Sequence, residues 1–302
     1  MAFTWNWFGL SRPNCPQPLE VVQERSQWEK FLTSPKYLEA VGHDANVVRQ
    51  HCREKEWTFT GYSKPAERKV EFSVDLNWGG QGEEGSYAPN LREQLACPKT
   101  RLNNRQRLIA ALIQDQVYRA KRLIDIYFME EITPIYNWAR SSLKNVNSIV
   151  GSEYLGPEFG PGEFVKGVHH EDVHNLSYRD ASFDLIVSND VFEHIPSPPL
   201  AFKECHRVLR TGGEMIMTTP FFWKNDQSIC RAAIGENGIQ HHLPAVYHGN
   251  PMSAEGSLVF YDFGWDILEM ATSAGFSRSV VEFHHAPAFG HLTVQPVFRF
   301  SK

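Results

Sequence analysis

The chain has 302 residues, of which 42% are hydrophobic and 22% charged, and its formal net charge is −5. The composition is that of an ordinary globular protein, and the length predicts one large domain with an extension. A negative net charge argues against general nucleic-acid binding, which needs a basic surface. No apolar run approaches the roughly 18 residues that a membrane span needs, so we expect no membrane partner.

The start of the chain, residues 1–13, lacks the basic segment and the long apolar core of a signal peptide. The five cysteines are odd in number and widely scattered, which does not suit a disulfide framework. These two observations predict a cytoplasmic protein.

Residues 1–100 predict an N-terminal extension. Helical patterns at 19–32 and 35–41 precede an alternating run at 69–76, which predicts a half-buried strand. The segment 80–85 matches G-x-G-x-x-G, but no helix follows it and its two glutamates would repel phosphate. We therefore expect a hairpin or a loop there.

Two cysteines of the extension, Cys52 and Cys97, look like half of a zinc ribbon. The positions where their partners would fall hold Lys55 and Thr100. Because a closed structural zinc site needs four ligands, the sequence predicts no structural zinc.

From residue 101 onward, helical and strand patterns alternate. The predicted helices lie at 103–118, 135–143, 198–209 and 265–274, and the predicted strands at 123–129, 146–152, 164–169, 183–188, 214–219, 280–284 and 294–300. This alternation predicts a Rossmann-like, doubly wound α/β sheet. Arg101, Arg105 and Arg107, at the start of the first helix, predict a solvated basic face.

The segment 172–213 carries a long gapless pattern. Asp172 precedes an LxxxDxSFD run at 176–184, EHI at 193–195 and RVLxxGG at 207–213. The pattern resembles the second half of the class I S-adenosylmethionine (SAM)-dependent methyltransferases. More weakly, residues 97–190 resemble a branch with a zinc-ribbon-like start and an acidic loop in place of the glycine-rich first loop. The resemblance implies a seven-stranded methyltransferase sheet over 101–302, an antiparallel final strand, and SAM as the cofactor.

Ligands of such sheets bind beyond the carboxyl ends of the strands. Glu153 follows the strand at 146–152, at the spacing of an acid that binds ribose hydroxyls. The resemblance places Asp172 against the adenine amino group and Val173 near the ring. Asn189, at the end of the strand at 183–188, is a further candidate for contact with the cofactor.

The end of the first strand and its loop, residues 125–134, depart from the family because they contain no glycine, the residue that lets a backbone approach a ligand closely. The related branch has an acidic residue there. Glu130 or Glu131 is therefore expected to bind the α-amino group of the cofactor through charge-assisted hydrogen bonds. The alternative is a non-catalytic binding or scaffold domain that has lost SAM.

Four candidate bases follow the strand at 214–219: His241, His242, Tyr247 and His248. Histidine titrates near neutral pH and can accept the proton of a hydroxyl group. In the same long segment, Arg231 is expected to bind an anionic part of the substrate.

Asp190, Glu193 and His194 have the spacing i, i+3, i+4, which on a helical turn points three side chains one way. We expect Glu193 and His194 to contact the substrate. Some relatives use such a set, with a distant histidine, to hold a divalent metal. We predict no metal here, because EHI is common in relatives that bind none.

The sequence as a whole predicts a SAM-dependent methyltransferase. The expected reaction transfers a methyl group to an oxygen or nitrogen atom of a small polar acceptor, such as a sugar or a specialised metabolite. The expected partner is this small molecule, with neither nucleic acid nor membrane.

Overall fold

The structure is a computed structural model that describes residues 15–82, 85–250 and 252–302. The expectation about the start of the chain, residues 1–13, lies outside the described residues. The elements of the extension are β1 (Glu20–Val22), α1 (Arg25–Leu32), α2 (Pro35–His51), β2 (Trp57–Ser63), β3 (Arg68–Val74), β4 (Gly80–Gln81) and β5 (Tyr87–Ala88).

The alternating part of the chain follows. Its elements are α3 (Asn104–Ala120), β6 (Ile124–Phe128), α4 (Pro134–Ser142), β7 (Val146–Gly151), β8 (Phe164–Val165), β9 (Val168–His169), β10 (Phe183–Asn189), a 3-10 turn (Phe192–His194), α5 (Pro198–Val208) and β11 (Leu209–Thr218). Two of these helices begin at side-chain caps: Asn103 forms a capping box with Gln106 at the start of α3, and Thr133 accepts a hydrogen bond at the start of α4.

The last third contains three small two-stranded units and then returns to the sheet. Its elements are β12 (Ile229–Cys230), β13 (Ala232–Gly235), β14 (Gly238–His241), β15 (Tyr247–Asn250), β16 (Ser253–Leu258), β17 (Tyr261–Asp262), α6 (Ile267–Ser273), β18 (Arg278–Ala286), a 3-10 turn (Pro287–Phe289) and β19 (His291–Ser301). The pairs are β12 with β17, β13 with β14, and β15 with β16.

Seven strands form the central sheet, in the order β1-β18-β19-β11-β10-β6-β7. Strands β7, β6, β10 and β11 run parallel, and the last strand, β19, runs antiparallel to β11. The predicted antiparallel final strand is therefore confirmed. The carboxyl ends of the parallel strands meet at one edge, which is where ligands of such sheets bind.

Each face of the sheet buries its own apolar core. Alternate residues of β10 point to opposite faces, so Leu185 and Val187 join one core while Ile186 joins the other. Helices α3 and α4 cover the first face, and α1, α5 and α6 cover the second. This two-sided covering is the doubly wound architecture that the sequence predicts.

The predicted helix at 19–32 is wrong in its first half, because residues 20–22 form β1. Val22 is fully buried and pairs with Val281 at the edge of the sheet. The edge strand β18 offers unpaired backbone groups, and pairing with them outweighs a weak local helical pattern. The single strand predicted at 164–169 is instead the hairpin β8–β9.

The extension packs on the turn between β18 and β19. Arg107 is fully buried, its guanidinium lies 3.7 Å from the centroid of the Phe72 ring, and it donates to the carbonyl groups of Leu95, Phe289 and Gly290. The predicted solvated basic face is therefore wrong for Arg107. These contacts join β3 to the sheet.

The predicted hairpin or loop at 80–85 is confirmed for its described residues, since β4 pairs with β5. In the described part of the chain, no helix combines the length and the apolarity that a bilayer crossing requires.

Candidate functional site

The first loop keeps its shape without glycine. Between Met129 and Thr133 no residue has positive φ, so this backbone path does not need one. The backbone N–H groups of Glu131 and Ile132 both donate to Oε1 of Glu153, at 2.8 and 3.0 Å. The carboxylate that follows β7 thus anchors the loop that follows β6.

Glu130 lies at the centre of this edge. Its side chain is 4% exposed, and both described contacts of its carboxyl group are with Asn189, one with the side-chain amide and one with the backbone N–H at 3.4 Å. Burial raises the pKa of Glu130 to about 8, because the hydrogen bonds from Asn189 only partly offset the loss of water. The structure thus brings together two predicted cofactor residues on neighbouring strands.

Glu131 faces the other way. Its Oε2 atom accepts a hydrogen bond of 2.9 Å from the backbone N–H of His169, in β9. Of the two alternatives for binding the α-amino group, Glu130 is the one that meets Asn189 of β10.

Glu153 keeps one oxygen for other partners. The described contacts of its carboxylate use Oε1 alone, and burial raises the pKa of the group. Its backbone forms a parallel bridge to His170, a short remnant of strand pairing beyond β7.

Asp172 forms a turn. Its Oδ1 atom accepts from the backbone N–H of His174 at 2.9 Å and contacts Nδ1 of the same histidine at 2.8 Å. The contact with His174 lowers the pKa of Asp172. Val173 packs, partly buried, against the apolar core of the second sheet face. Among the described residues, the hydrogen bonds of Asp172 use Oδ1, and Oδ2 is the oxygen that the adenine amino group could reach.

Asp190 does not join Glu193 and His194. Its φ angle is +53°, and its carboxylate accepts two hydrogen bonds from Arg92 of the extension, at 2.9 and 2.7 Å. Arg105 lies 3.3 Å away and also binds Glu93, at 2.9 and 3.1 Å. The two arginines hold the pKa of Asp190 far below its usual range. The predicted solvated face is therefore also wrong for Arg105.

Glu193, His194 and His248 form a cluster. The Glu193 side chain is fully buried; its Oε1 atom lies 3.5 Å from Nδ1 of His248 and 3.8 Å from Nε2 of His194. Its other oxygen accepts from Thr219 at 2.9 Å. Contact with Glu193 raises the pKa of His248, against the opposing effect of burial.

The tautomer of His194 follows from its other nitrogen. Nδ1 lies 2.8 Å from the carbonyl oxygen of Leu258, so it carries the proton, and in the neutral ring Nε2 is an acceptor. Three acceptor atoms of Glu193, His194 and His248 then lie within 4.8 Å of one another, a spacing that a divalent cation could bridge. The expected absence of metal stays a prediction.

Buried oxygens without a hydrogen-bond donor collect at the same edge. Among the described residues they include Ser188 Oγ and Asn189 Oδ1. Buried polar atoms are normally paired, so a concentration of unpaired acceptors indicates a ligand rich in donors. A ligand with an ammonium group and hydroxyl groups, such as SAM, fits this donor requirement.

The remaining predicted residues lie farther out on the small two-stranded units. His241 and His242 are exposed, and Tyr247 is 53% exposed beside His248. Arg231 donates to Asp262 at 2.6 Å and to the carbonyl of Pro244 at 2.9 Å, so its guanidinium holds two loops together. The sequence does not reveal this contact, and among the described residues the Nε atom of Arg231 has no hydrogen-bond partner. A role of Arg231 in binding an anionic substrate stays a prediction.

Arg92 is the functional-site neighbour that sequence reasoning missed. Its position, 98 residues before Asp190, gives no local signal for their pairing. The only available hint is the excess of acidic residues at the strand ends, which a buried site must balance with cations.

Residues 153–217 match the sequence model of a family described as a methyltransferase domain. They include β10, α5 and β11, the centre of the sheet. This part of the chain is therefore similar to a methyltransferase domain, as the sequence pattern predicts. The family and the fold class predicted from the sequence are confirmed.

The methyltransferase domain is similar to several proteins over part of its length. A ubiquinone biosynthesis O-methyltransferase from Acinetobacter baumannii is 26% identical over 112 residues, which cover 32% of this chain and 46% of that protein. A sarcosine/dimethylglycine N-methyltransferase from Halorhodospira halochloris is 46% identical over 46 residues, 15% of this chain and 16% of that one. The chain spans about half the length of the ubiquinone O-methyltransferase that it matches.

Among solved structures, a SAM-dependent methyltransferase from Mesorhizobium loti is similar to this chain at 17% sequence identity. The similarity covers 62% of this chain and 96% of that one, with a TM-score of 0.39.

Proposed function

We propose that this protein is a SAM-dependent methyltransferase that methylates a hydroxyl group of a small polar acceptor. One arrangement carries the proposal: the buried carboxyl group of Glu130 and the cluster of Glu193, His194 and His248 lie at the same edge of the sheet. Glu130 follows β6, and Glu193 follows β10, the strand that pairs with β6. When bound, SAM supplies a methyl carbon made electrophilic by its sulfonium.

Four regions of the chain would hold the cofactor. Glu130 and Asn189 bind the amino end through the carboxyl group and the unpaired Oδ1 atom. Oε2 of Glu153 accepts the ribose hydroxyls, while Oε1 keeps the first loop in place. Asp172 and Val173 lie on the turn that follows, where the adenine edge and ring would be bound.

His248 is proposed as the base. With Nδ1 turned to Glu193, its Nε2 atom is left to take the acceptor proton, and the buried carboxylate stabilises the imidazolium that forms. General-base catalysis of this kind contributes on the order of 10²- to 10⁴-fold. Tyr247, next in the chain and half exposed, is placed to contact the acceptor.

Oxygen is favoured over nitrogen as the acceptor atom because a hydroxyl group needs a base. Sugars and specialised metabolites are the acceptor classes that we propose to test, in a cytoplasmic setting.

Calorimetric titration with SAM and with its demethylated product, S-adenosylhomocysteine, tests the proposal. We expect micromolar dissociation constants, which correspond to binding free energies on the order of −7 to −8 kcal/mol. Glu153→Ala should weaken binding, while Glu56→Gln, an exposed residue of the extension, serves as the control. Absence of binding by either ligand would instead favour the non-catalytic scaffold domain.

A screen with methyl-labelled SAM and hydroxylated small molecules tests the reaction. His248→Ala should lose transfer while keeping SAM affinity, whereas His242→Ala, an exposed neighbour in sequence, should keep both. Equal activity in the two variants would remove His248 from the base role.

A further inference from the structure

The carboxyl group of Glu130 is buried without a cation. Its side chain is 4% exposed, and both of its described contacts are with the uncharged Asn189. A buried carboxylate that lacks a positive partner takes up a proton rather than stay ionised. The ligand-free protein therefore holds a neutral acid at the point where the cofactor's amino end is expected.

The charged groups around Glu130 do not change this balance. Glu153, at the end of β7, adds repulsion that favours the protonated form. Arg105, from α3, acts in the opposite direction, but its hydrogen bonds go to Glu93 and it lies 3.3 Å from Asp190. The positive charge of Arg105 is therefore already neutralised by the carboxylates of Glu93 and Asp190.

The surroundings of Glu130 lack donors as well. Oδ1 of Asn189 and Oγ of Ser188 are buried and have no hydrogen-bond partner among the described residues. An ammonium group brings three N–H donors and a positive charge, which suits both the carboxyl group and these oxygens.

We propose that Glu130 and Asn189 form a seat for an ammonium group, and that an occupant of the seat displaces a proton from Glu130. The inference rests on the proposed cofactor and deepens it. Binding of the amino-acid end of the cofactor is then coupled to proton release, and affinity rises with pH until Glu130 is ionised in the free protein. The O–H bond of the acid breaks, the proton goes to buffer, and the carboxylate accepts from the ammonium group.

Calorimetry in two buffers with different ionisation enthalpies counts the protons released. S-adenosylhomocysteine carries the amino-acid end, and methylthioadenosine lacks it, so the two form a matched pair of probes. With a pKa of about 8, Glu130 should release about 0.9 proton per S-adenosylhomocysteine bound at pH 7. Methylthioadenosine should release close to none.

The Glu130→Gln variant distinguishes a proton released by Glu130 from a proton released by the ligand's own amino group. In this variant the proton count with S-adenosylhomocysteine should fall by about 0.9 relative to the unchanged protein. The neighbouring Glu131→Gln, whose carboxylate accepts from His169, should keep the count. Equal counts in the unchanged protein and in Glu130→Gln, with binding intact, overturn the proposal.

Carbon-13 NMR of ligand-free protein distinguishes failure of the seat from failure of the proposed function. The glutamate δ-carbon signal that disappears in Glu130→Gln is followed against pH. A midpoint near 8 supports a protonated seat even if neither adenosyl probe binds, in which case only the cofactor assignment falls. A midpoint near 4.5 overturns the seat.

Discussion

Glu130 should make the protein less stable as the pH rises. The pKa of its carboxyl group is about 8 in the folded chain and 4.5 as a reference for the unfolded chain. Below pH 4.5 both states are protonated and there is no cost. Between 4.5 and 8 the unfolded chain ionises while the folded chain keeps its proton, so stability is lost across this window and remains lost above it.

The size of the effect follows from the two values. One pKa unit is worth about 1.36 kcal/mol, so the full interval corresponds to an upper value of about 5 kcal/mol. Between pH 5 and pH 8, the free energy of unfolding should fall by roughly 3–4 kcal/mol through this group alone. Glutamine has nearly the same shape and cannot ionise.

Urea denaturation of the unchanged protein and of Glu130→Gln, at pH 5 and at pH 8, measures the effect. The variant should gain stability relative to the unchanged protein by roughly 3–4 kcal/mol on going from pH 5 to pH 8. Glu56→Gln, an exposed glutamate, sets the baseline for loss of one carboxylate. A difference that does not change with pH would refute a buried neutral acid at this position.

Three further predictions concern the rest of the site. Glu153→Gln should destabilise the first loop by about 1–2 kcal/mol, seen as faster hydrogen exchange at Glu131 and Ile132, because a neutral amide oxygen is the weaker acceptor; unchanged exchange would contradict the anchor role. On the acid side of the pH–rate profile, methyl transfer should fall with a midpoint above the ordinary histidine pKa of about 6.5, since Glu193 raises the pKa of His248. In Glu193→Gln this midpoint should move to lower pH. A midpoint that does not move would exclude catalysis by the His248–Glu193 pair. Treatment with a chelator should leave methyl transfer intact, and a loss restored by one divalent cation would show that the cluster holds a metal instead.

Local pattern was sufficient for the centre of the fold. The strand at 183–189, the helix at 198–208 and the strand at 209–218 follow one another with short connections, and their apolar spacing depends only on neighbouring residues. The same segment carries the family motif, so the sequence also indicated the sheet edge on which the site lies. Glu130, Glu153 and Asn189 were recognised as strand-end residues for this reason.

Tertiary structure decided which strand-end residues work together. The sequence placed four candidate bases in one segment, and only the fold brings His248, rather than His241 or His242, against Glu193. It could not show that Glu153 anchors the first loop, because that contact joins two strands through side-chain and backbone atoms.

The contacts of the N-terminal extension were the hardest to predict from the sequence. Val22 enters the sheet beside Val281, and Arg92 binds Asp190, contacts that link residues far apart in the sequence. The local pattern predicts that Arg107 is solvated, yet it is buried, because two of the three carbonyl groups that receive its hydrogen bonds come from the turn that follows β18. Whether a charged side chain is buried and paired depends on which residues, distant in sequence, lie next to it in the folded chain.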